Sequence, residues 1–403
     1  MKLNYKKTFI LGFGFFAIML CASLYDSFVP IFLRKFTDKA VLIGFIMTMD
    51  NYIGLFLQPA IGALSDRTNT RFGKRMPFIL LCMPLAAILA GAIPNHWGFV
   101  PLIVIIVVFN VLMACFRSPT VALMPDITPR PLRSKANGVI NFMGGFGAVV
   151  AYLVGSRLYK INAAYPFYMA GILLIISVVI LFFNIKEKRD SLTVTEEAEQ
   201  VSRPKSAGIA QQIDALRSGN RVWVLLCAIF FWFIAYNAVS TFFTLYGTEY
   251  LHVAEEDAAA KLTLFSLSLV VFSIPAGFIG TKLGKKKTII LGLILMIAVF
   301  GGIFFANDLN IIGYLFIPAG AAWALVNINS YPFVVSMSKT KSIGAFTGLY
   351  YLFSSLAAIA SPPLIGFLAD QFGYGILFRY SLVGFAIALV FMIFVKTPTE
   401  ETA

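Results

Sequence analysis

The sequence predicts an all-α membrane protein: twelve transmembrane helices in two six-helix bundles, with both termini cytoplasmic. Three observations lead there. The 403 residues are 59% hydrophobic and 13% charged, whereas a soluble domain is nearer half apolar and a quarter charged. Twelve apolar runs reach the roughly 20 residues needed to cross a bilayer. Lysine and arginine gather on one side of those runs, as cytoplasmic loops require.

In chain order the runs cover 8–33, 41–65, 77–94, 99–123, 137–158, 163–185, 221–247, 259–281, 288–306, 311–337, 342–369 and 376–395. Several exceed 23 residues, so tilt or kinking is expected. Pro30, Pro59, Pro119, Pro275, Pro318, Pro332 and the pair Pro362–Pro363 are the expected kink sites. With the N-terminus inside, about 24 of the 32 Lys and Arg fall in cytoplasmic segments. The net charge of +13 is therefore topological, and a nucleic-acid partner is not expected. The opening "MKLNYKK" leads into an apolar run too long for a signal-peptide core, so the first helix is expected to remain as an anchor. Cys21, Cys82, Cys115 and Cys227 lie in apolar runs without metal or redox spacing and read as packing residues.

The one long polar stretch, 186–220, divides the chain into an N-terminal bundle (1–185), a cytoplasmic linker and a C-terminal bundle (221–403). Within it Ile209, Ile213 and Leu216 recur at helical spacing and suggest a short amphipathic surface helix. The ends of spans two, eight and eleven read "QPAIGALSD", "IPAGFIGTKLG" and "PPLIGFLADQFG". Each places Gly shortly after Pro and then turns, an echo expected of bundles built from smaller repeats.

The loop after span two reads "GALSDRTNTRFGKRMPF". Gly permits close packing and a tight turn, and Asp66 at a helix end can pair with guanidinium groups or a helix N-terminus. Gly62, Asp66, Arg67, Gly73, Lys74 and Arg75 resemble the signature G-x-L-x-D-R-x-G-R-R that major facilitator transporters carry between helices two and three. Four extra residues separate the Asp-Arg pair from the Gly-basic pair, as in the sucrose/proton symporter-like and glycoside-pentoside-hexuronide:cation symporter branches. A second copy, Gly277 to Lys287, keeps glycines and basic residues but has Thr281 where the Asp would fall. An equal gating role is not expected of it. Residues 114–148, 319–334 and 348–366 resemble the sucrose-symporter-like branch too, so the likeness extends over most of the chain. It implies the major facilitator fold, transport by alternating access, and Gly62, Asp66, Arg67, Gly73 and Arg75 as a gating motif.

Three ionisable residues lie deep in spans: Asp26 in "SLYDSFVP", Asp50 in "TMDNYIG" and Arg117 in "CFRSPT". An ionised Asp at the centre of a membrane helix costs roughly 2.5–3.5 kcal/mol on insertion scales, so such groups read as functional. Two acids and a guanidinium sharing a cavity could take up a proton on one side and release it on the other. The resemblance points to Asp50 as the coupling acid, because glycoside:cation symporters place an acid in helix two; Asp26 competes with it. Those symporters usually carry another acid in helix four, where Arg117 stands here, which favours proton over sodium coupling.

Sugars are held by planar amides, hydroxyls and aromatic faces. Asn51 and Gln58 share a face of span two, as Asn110 and Arg117 share one of span four. Trp323, Asn327 and Tyr331 step by four along span ten, and Asn237, Tyr350 and Tyr351 add polar groups from spans seven and eleven. These are the expected substrate contacts. The two histidines, His96 and His252, fall in outer loops, and there is no H-E-x-x-H or phosphate loop. An enzyme is not expected, nor is any cofactor beyond the coupling proton. The expectation is a sugar:proton symporter of the plasma membrane, acting as a monomer. A facilitator or an exporter of another small solute is the alternative.

Overall fold

The structure, a computed structural model, describes residues 3–129, 132–187, 222–337 and 343–395. Thirteen α-helices follow one another among the described residues: α1 (Tyr5–Arg34), α2 (Ala40–Met47), α3 (Met49–Arg67), α4 (Met76–Ala92), α5 (Phe99–Ile127), α6 (Arg133–Ile161) and α7 (Tyr165–Asn184), then α8 (Val222–Glu249), α9 (Glu255–Leu283), α10 (Lys285–Phe304), α11 (Leu309–Ser336), α12 (Ile343–Phe372) and α13 (Leu377–Phe394). A 3₁₀ turn, Tyr374–Ile376, leads into α13. Among the described residues eleven helices, counting Ala40–Arg67 as one, are long and apolar enough to cross a membrane. Met76–Ala92 is a shorter apolar helix. The chain is an integral, multi-pass membrane protein. Its outward surface agrees: Phe56, Leu81, Ile88, Val100, Ile172, Phe183, Ile274 and Phe278 are exposed, the hydrophobic periphery that lipid contact demands.

The chain forms two compact units. Unit one comprises Met1–Asp38, Ile46–Glu199 and Glu255–Thr263, and unit two Lys39–Phe45, Gln200–Ala254 and Leu264–Ala403. In unit one α1 packs on α6, α3 on α5 and α4 on α7. In unit two α8 packs on α12 and α13, and α10 on α11 and α13. Lipid tails supply no hydrophobic drive between helices, so close backbone packing must supply it. At α1 and α6 it does: a methyl group on Gly147 would strike the backbone carbonyl of Phe16. Gly171 likewise lies against the Ala87 carbonyl, 2.8 Å from where its methyl would be.

The helices differ from the apolar runs by a few residues at most ends. Span two departs more sharply. The expected span is 41–65 with Pro59 as a kink site; Pro59 lies inside α3, and a break not expected from the sequence comes at Thr48, a fully buried residue. The packing partners of the span change close by, between Phe45 and Ile46. Most of the piece before the break, Lys39–Phe45, belongs to unit two, where the Asp370 carboxylate at the end of α12 accepts the Ala40 and Val41 N–H groups at 2.6 and 3.0 Å. Gly44 there abuts the Pro362 carbonyl. The piece after the break, α3, packs on α5. The remaining expected kink prolines also lie inside helices, joined by Pro84 and Pro125. The suggested amphipathic helix at 209–216 lies outside the described residues.

Candidate functional site

The break at Thr48 gives Asp50 its setting. With α3 starting at Met49, Asp50 stands in the first turn of a helix that begins inside the membrane. Free N–H groups and the positive end of the helix dipole favour a carboxylate there. Its Oδ1 accepts the Asn51 backbone N–H at 2.6 Å and the Asn51 amide Nδ2 at 2.7 Å. Asp50 is within electrostatic reach of Arg117 on α5. Tyr25, on α1, is within reach of both Asp50 and Asp26. The Asn110 Nδ2 donates to the Tyr25 hydroxyl at 3.1 Å, and the Tyr25 ring stacks on Phe109.

Asp26, Asp50, Asn51, Asn110 and Arg117 thus share one neighbourhood of unit one. Two of them have protein partners for their amides, Asn51 with Asp50 and Asn110 with Tyr25. Gln58 lies two turns along α3, its amide over Gly54, where a methyl group would sit 2.8 Å from Nε2. Sequence reasoning missed Tyr25; its place beside Asp26 was the available signal.

The basic loop forms a second cluster in unit one. Arg75 is buried, and its Nε donates to Asp126 Oδ2 at 2.9 Å. Its other nitrogens reach Asp66, Ser65 and, at 3.3 Å, the Gly62 carbonyl. Burial works against the Arg75 charge, but Asp126 and then Asp66 outweigh it and raise its pKa above the ordinary arginine value. Gly62, Asp66, Gly73 and Arg75 come together, whereas Arg67 is exposed in the last turn of α3. The extra residues of the loop close a tight turn, in which Thr70 and Gly73 exchange backbone hydrogen bonds of 3.3 and 3.1 Å. Asp126 and Glu187, which caps this loop, were both missed. Asp126 offered a signal, an acid at the end of a span on the basic side.

The second copy uses its charges differently. Lys285 Nζ donates to the Pro332 carbonyl at 3.1 Å, and Lys286 Nζ to the Ile393 and Val395 carbonyls at 3.1 and 2.6 Å. Lysines here hold the C-terminal ends of α11 and α13, favourable by the helix dipole. Thr281 bonds back to the Gly277 carbonyl of its own helix at 3.0 Å.

In unit two the expected substrate contacts separate into a supporting layer and a surface. Trp323 is 1% exposed, and its ring stacks on Tyr236 with centroids 4.3 Å apart and planes 2° from parallel. Tyr350 is buried with its hydroxyl 3.0 Å from Ser330 Oγ. Tyr331 and Tyr351 are 37% and 59% exposed, and each packs on Tyr350 at 5.5 and 5.4 Å. Asn237 donates to the Phe233 carbonyl of its own helix at 2.8 Å, and Asn327 is half-buried. The result is a tyrosine face whose buried member, Tyr350, shares a neighbour, Phe233, with the stacked Trp–Tyr pair.

Comparison with known proteins agrees with this architecture. The sequence matches the profile of the Major Facilitator Superfamily over residues 11–259 and 246–403. It is 25% identical over 308 residues to the isoprimeverose transporter of Lactiplantibacillus pentosus, covering 70% of this chain and 60% of that protein's length. It is also 25% identical to multidrug resistance protein 2 of Bacillus subtilis over 405 residues, covering 96% of each. The solved D-xylose-proton symporter shares the fold, with a TM-score of 0.74 at 14% identity, over 98% of both chains.

Proposed function

Because the chain belongs to the Major Facilitator Superfamily, we propose that it is a secondary active transporter that imports a sugar, a glycoside or disaccharide, by proton symport with alternating access. The twelve spans then form two six-helix bundles, 1–185 and 221–403, with both termini and the basic loop cytoplasmic. The observation that carries the reading is Asp50, a carboxylate at the start of an intramembrane helix within reach of Arg117. Such a group is costly to keep in a membrane and is retained where it titrates. Asp50 is the coupling acid, Arg117 its counter-charge and Asp26 the second acid. Asp66, Arg75 and Asp126 lock the basic-loop gate. The tyrosine face of unit two recognises the uncharged substrate through C–H stacking and hydroxyl contacts. The isoprimeverose transporter and the D-xylose-proton symporter support a sugar.

An exporter of another small solute is the second reading, favoured by the near full-length match to multidrug resistance protein 2. Uptake of labelled mono- and disaccharides into proteoliposomes with an imposed inward proton gradient separates the two. Concentration of one sugar supports import. No sugar moving, with gradient-driven movement of a dye in the opposite sense, overturns it.

Given a transported sugar, Tyr351→Ala is expected to raise KM about tenfold, the loss of one aromatic contact of roughly 1–1.5 kcal/mol. Tyr351→Phe should change it by less than threefold if ring stacking dominates. Initial-rate uptake decides, and an unchanged KM in the alanine variant removes Tyr351 from the binding face.

A further inference from the structure

The chain leaving α7 folds back onto the basic loop. Glu187 follows α7 by three residues and is 3% exposed. Its Oε1 accepts the Lys74 N–H at 2.8 Å and the Arg75 N–H at 3.0 Å. Its Oε2 accepts the Arg75 N–H at 2.9 Å and the Met76 N–H at 3.0 Å. These donors stand at the start of α4, whose own N-cap residue, Arg75, offers no side-chain cap. A carboxylate there meets unpaired donors and the positive end of the helix dipole, and its bonds are charge-assisted.

A local cap comes from the residue just before a helix; this one comes from more than a hundred residues further along the chain. The loop is shaped to admit it. Gly73 has φ +118°, and a methyl group there would lie 2.5 Å from Glu187 Cδ and 2.7 Å from its Cβ. Only glycine satisfies both the backbone and the incoming carboxylate. A second contact holds the same two segments together: Phe72 and Phe182 meet edge to face at 5.6 Å. Arg75 therefore has its backbone held by Glu187 and its guanidinium held by Asp66 on α3 and Asp126 on α5.

We propose that Glu187 is the positioning residue of the basic-loop gate: by capping α4 it fixes the Arg75 backbone so that one guanidinium reaches Asp66 and Asp126 together. The gate then responds to the chain leaving α7 as well as to the substrate path. The proposal rests on the gate reading above. A merely structural cap would steady the first turn of α4 and nothing more. A positioning residue must also change the order of the helix ends that Arg75 joins.

Hydrogen–deuterium exchange on the full chain in lipid nanodiscs tests it without a known substrate. Arg75→Ala is expected to speed amide exchange about tenfold at the ends of α3 and α5, around Asp66 and Asp126, the loss of one or two charge-assisted bonds. Glu187→Gln keeps the side-chain volume but not the charge. It should speed exchange at Lys74–Met76 and also, about threefold to tenfold, at the α5 end. Glu187→Ala should do so more strongly, and combining either with Arg75→Ala should add nothing at the α5 end. If Arg75→Ala speeds exchange at the α5 end while both Glu187 variants affect only Lys74–Met76, or if their effects add, Glu187 is a plain cap and the proposal falls. If Arg75→Ala itself leaves both helix ends unchanged, the gate reading fails and takes this inference with it.

Discussion

Asp50→Asn is expected to abolish gradient-driven accumulation while leaving exchange of substrate across the membrane intact. Asparagine keeps the volume of the side chain and an Oδ1 that can accept the Asn51 N–H, now 2.6 Å from Asp50. The local helix start should therefore survive. What it removes is the titratable charge within reach of Arg117. One proton moving down about 150 mV supplies roughly 3.5 kcal/mol, enough for a few-hundredfold accumulation. Wild-type proteoliposomes should concentrate the substrate toward that limit, and the variant should stop at equal concentrations inside and out. Equal accumulation by both would make Asp50 structural and pass the coupling role to Asp26, tested the same way with Asp26→Asn. Loss of exchange as well as accumulation would place Asp50 in substrate binding instead.

Gly147→Val carries the largest expected cost in stability. Gly147 on α6 faces the backbone carbonyl of Phe16 on α1, so an added side chain meets main-chain atoms that no rotamer change can move. Parting the helices would disturb the closely packed pair α1–α6, where Gly144 and Gly155 also sit against Met19 and Leu24 of α1. Overpacking costs about 1–3 kcal/mol where side chains can yield and more where they cannot. In a membrane the pair has no hydrophobic drive to offset it. The variant should lose several degrees in Tm and most of its monodisperse yield by size exclusion in detergent. Gly138→Ala, on the same helix with nothing within 4 Å of the added methyl, is the control. It should be neutral or slightly stabilising, since alanine favours helix. A Gly147→Val protein as stable as the control would show that α1 and α6 pack less closely than described.

The sequence by itself determined the membrane class, the apolar helices and the charged residues set within them. Hydrophobicity and length are local properties, and a bilayer imposes them run by run. It also identified the basic loop, because glycine and charge at a turn carry their own stereochemistry: Gly73 does sit at positive φ. It could not place the break of span two. Proline signals a kink through its own missing N–H, but the break at Thr48 comes close to where the chain passes from unit two to unit one, between Phe45 and Ile46, and no local residue signals that passage. Nor could it show that Trp323 lies behind Tyr236 while Tyr351 is exposed, since helical spacing gives a face and not what covers it. Nor could it show that Asp126, legible only as an acid at a span end, and Glu187 meet Arg75. Each acts on Arg75 from 51 and 112 residues away along the chain, and a contact at that separation is decided only by how the helices pack. Local chemistry wrote the spans and the loop; the tertiary structure alone decided which carboxylates meet the arginine.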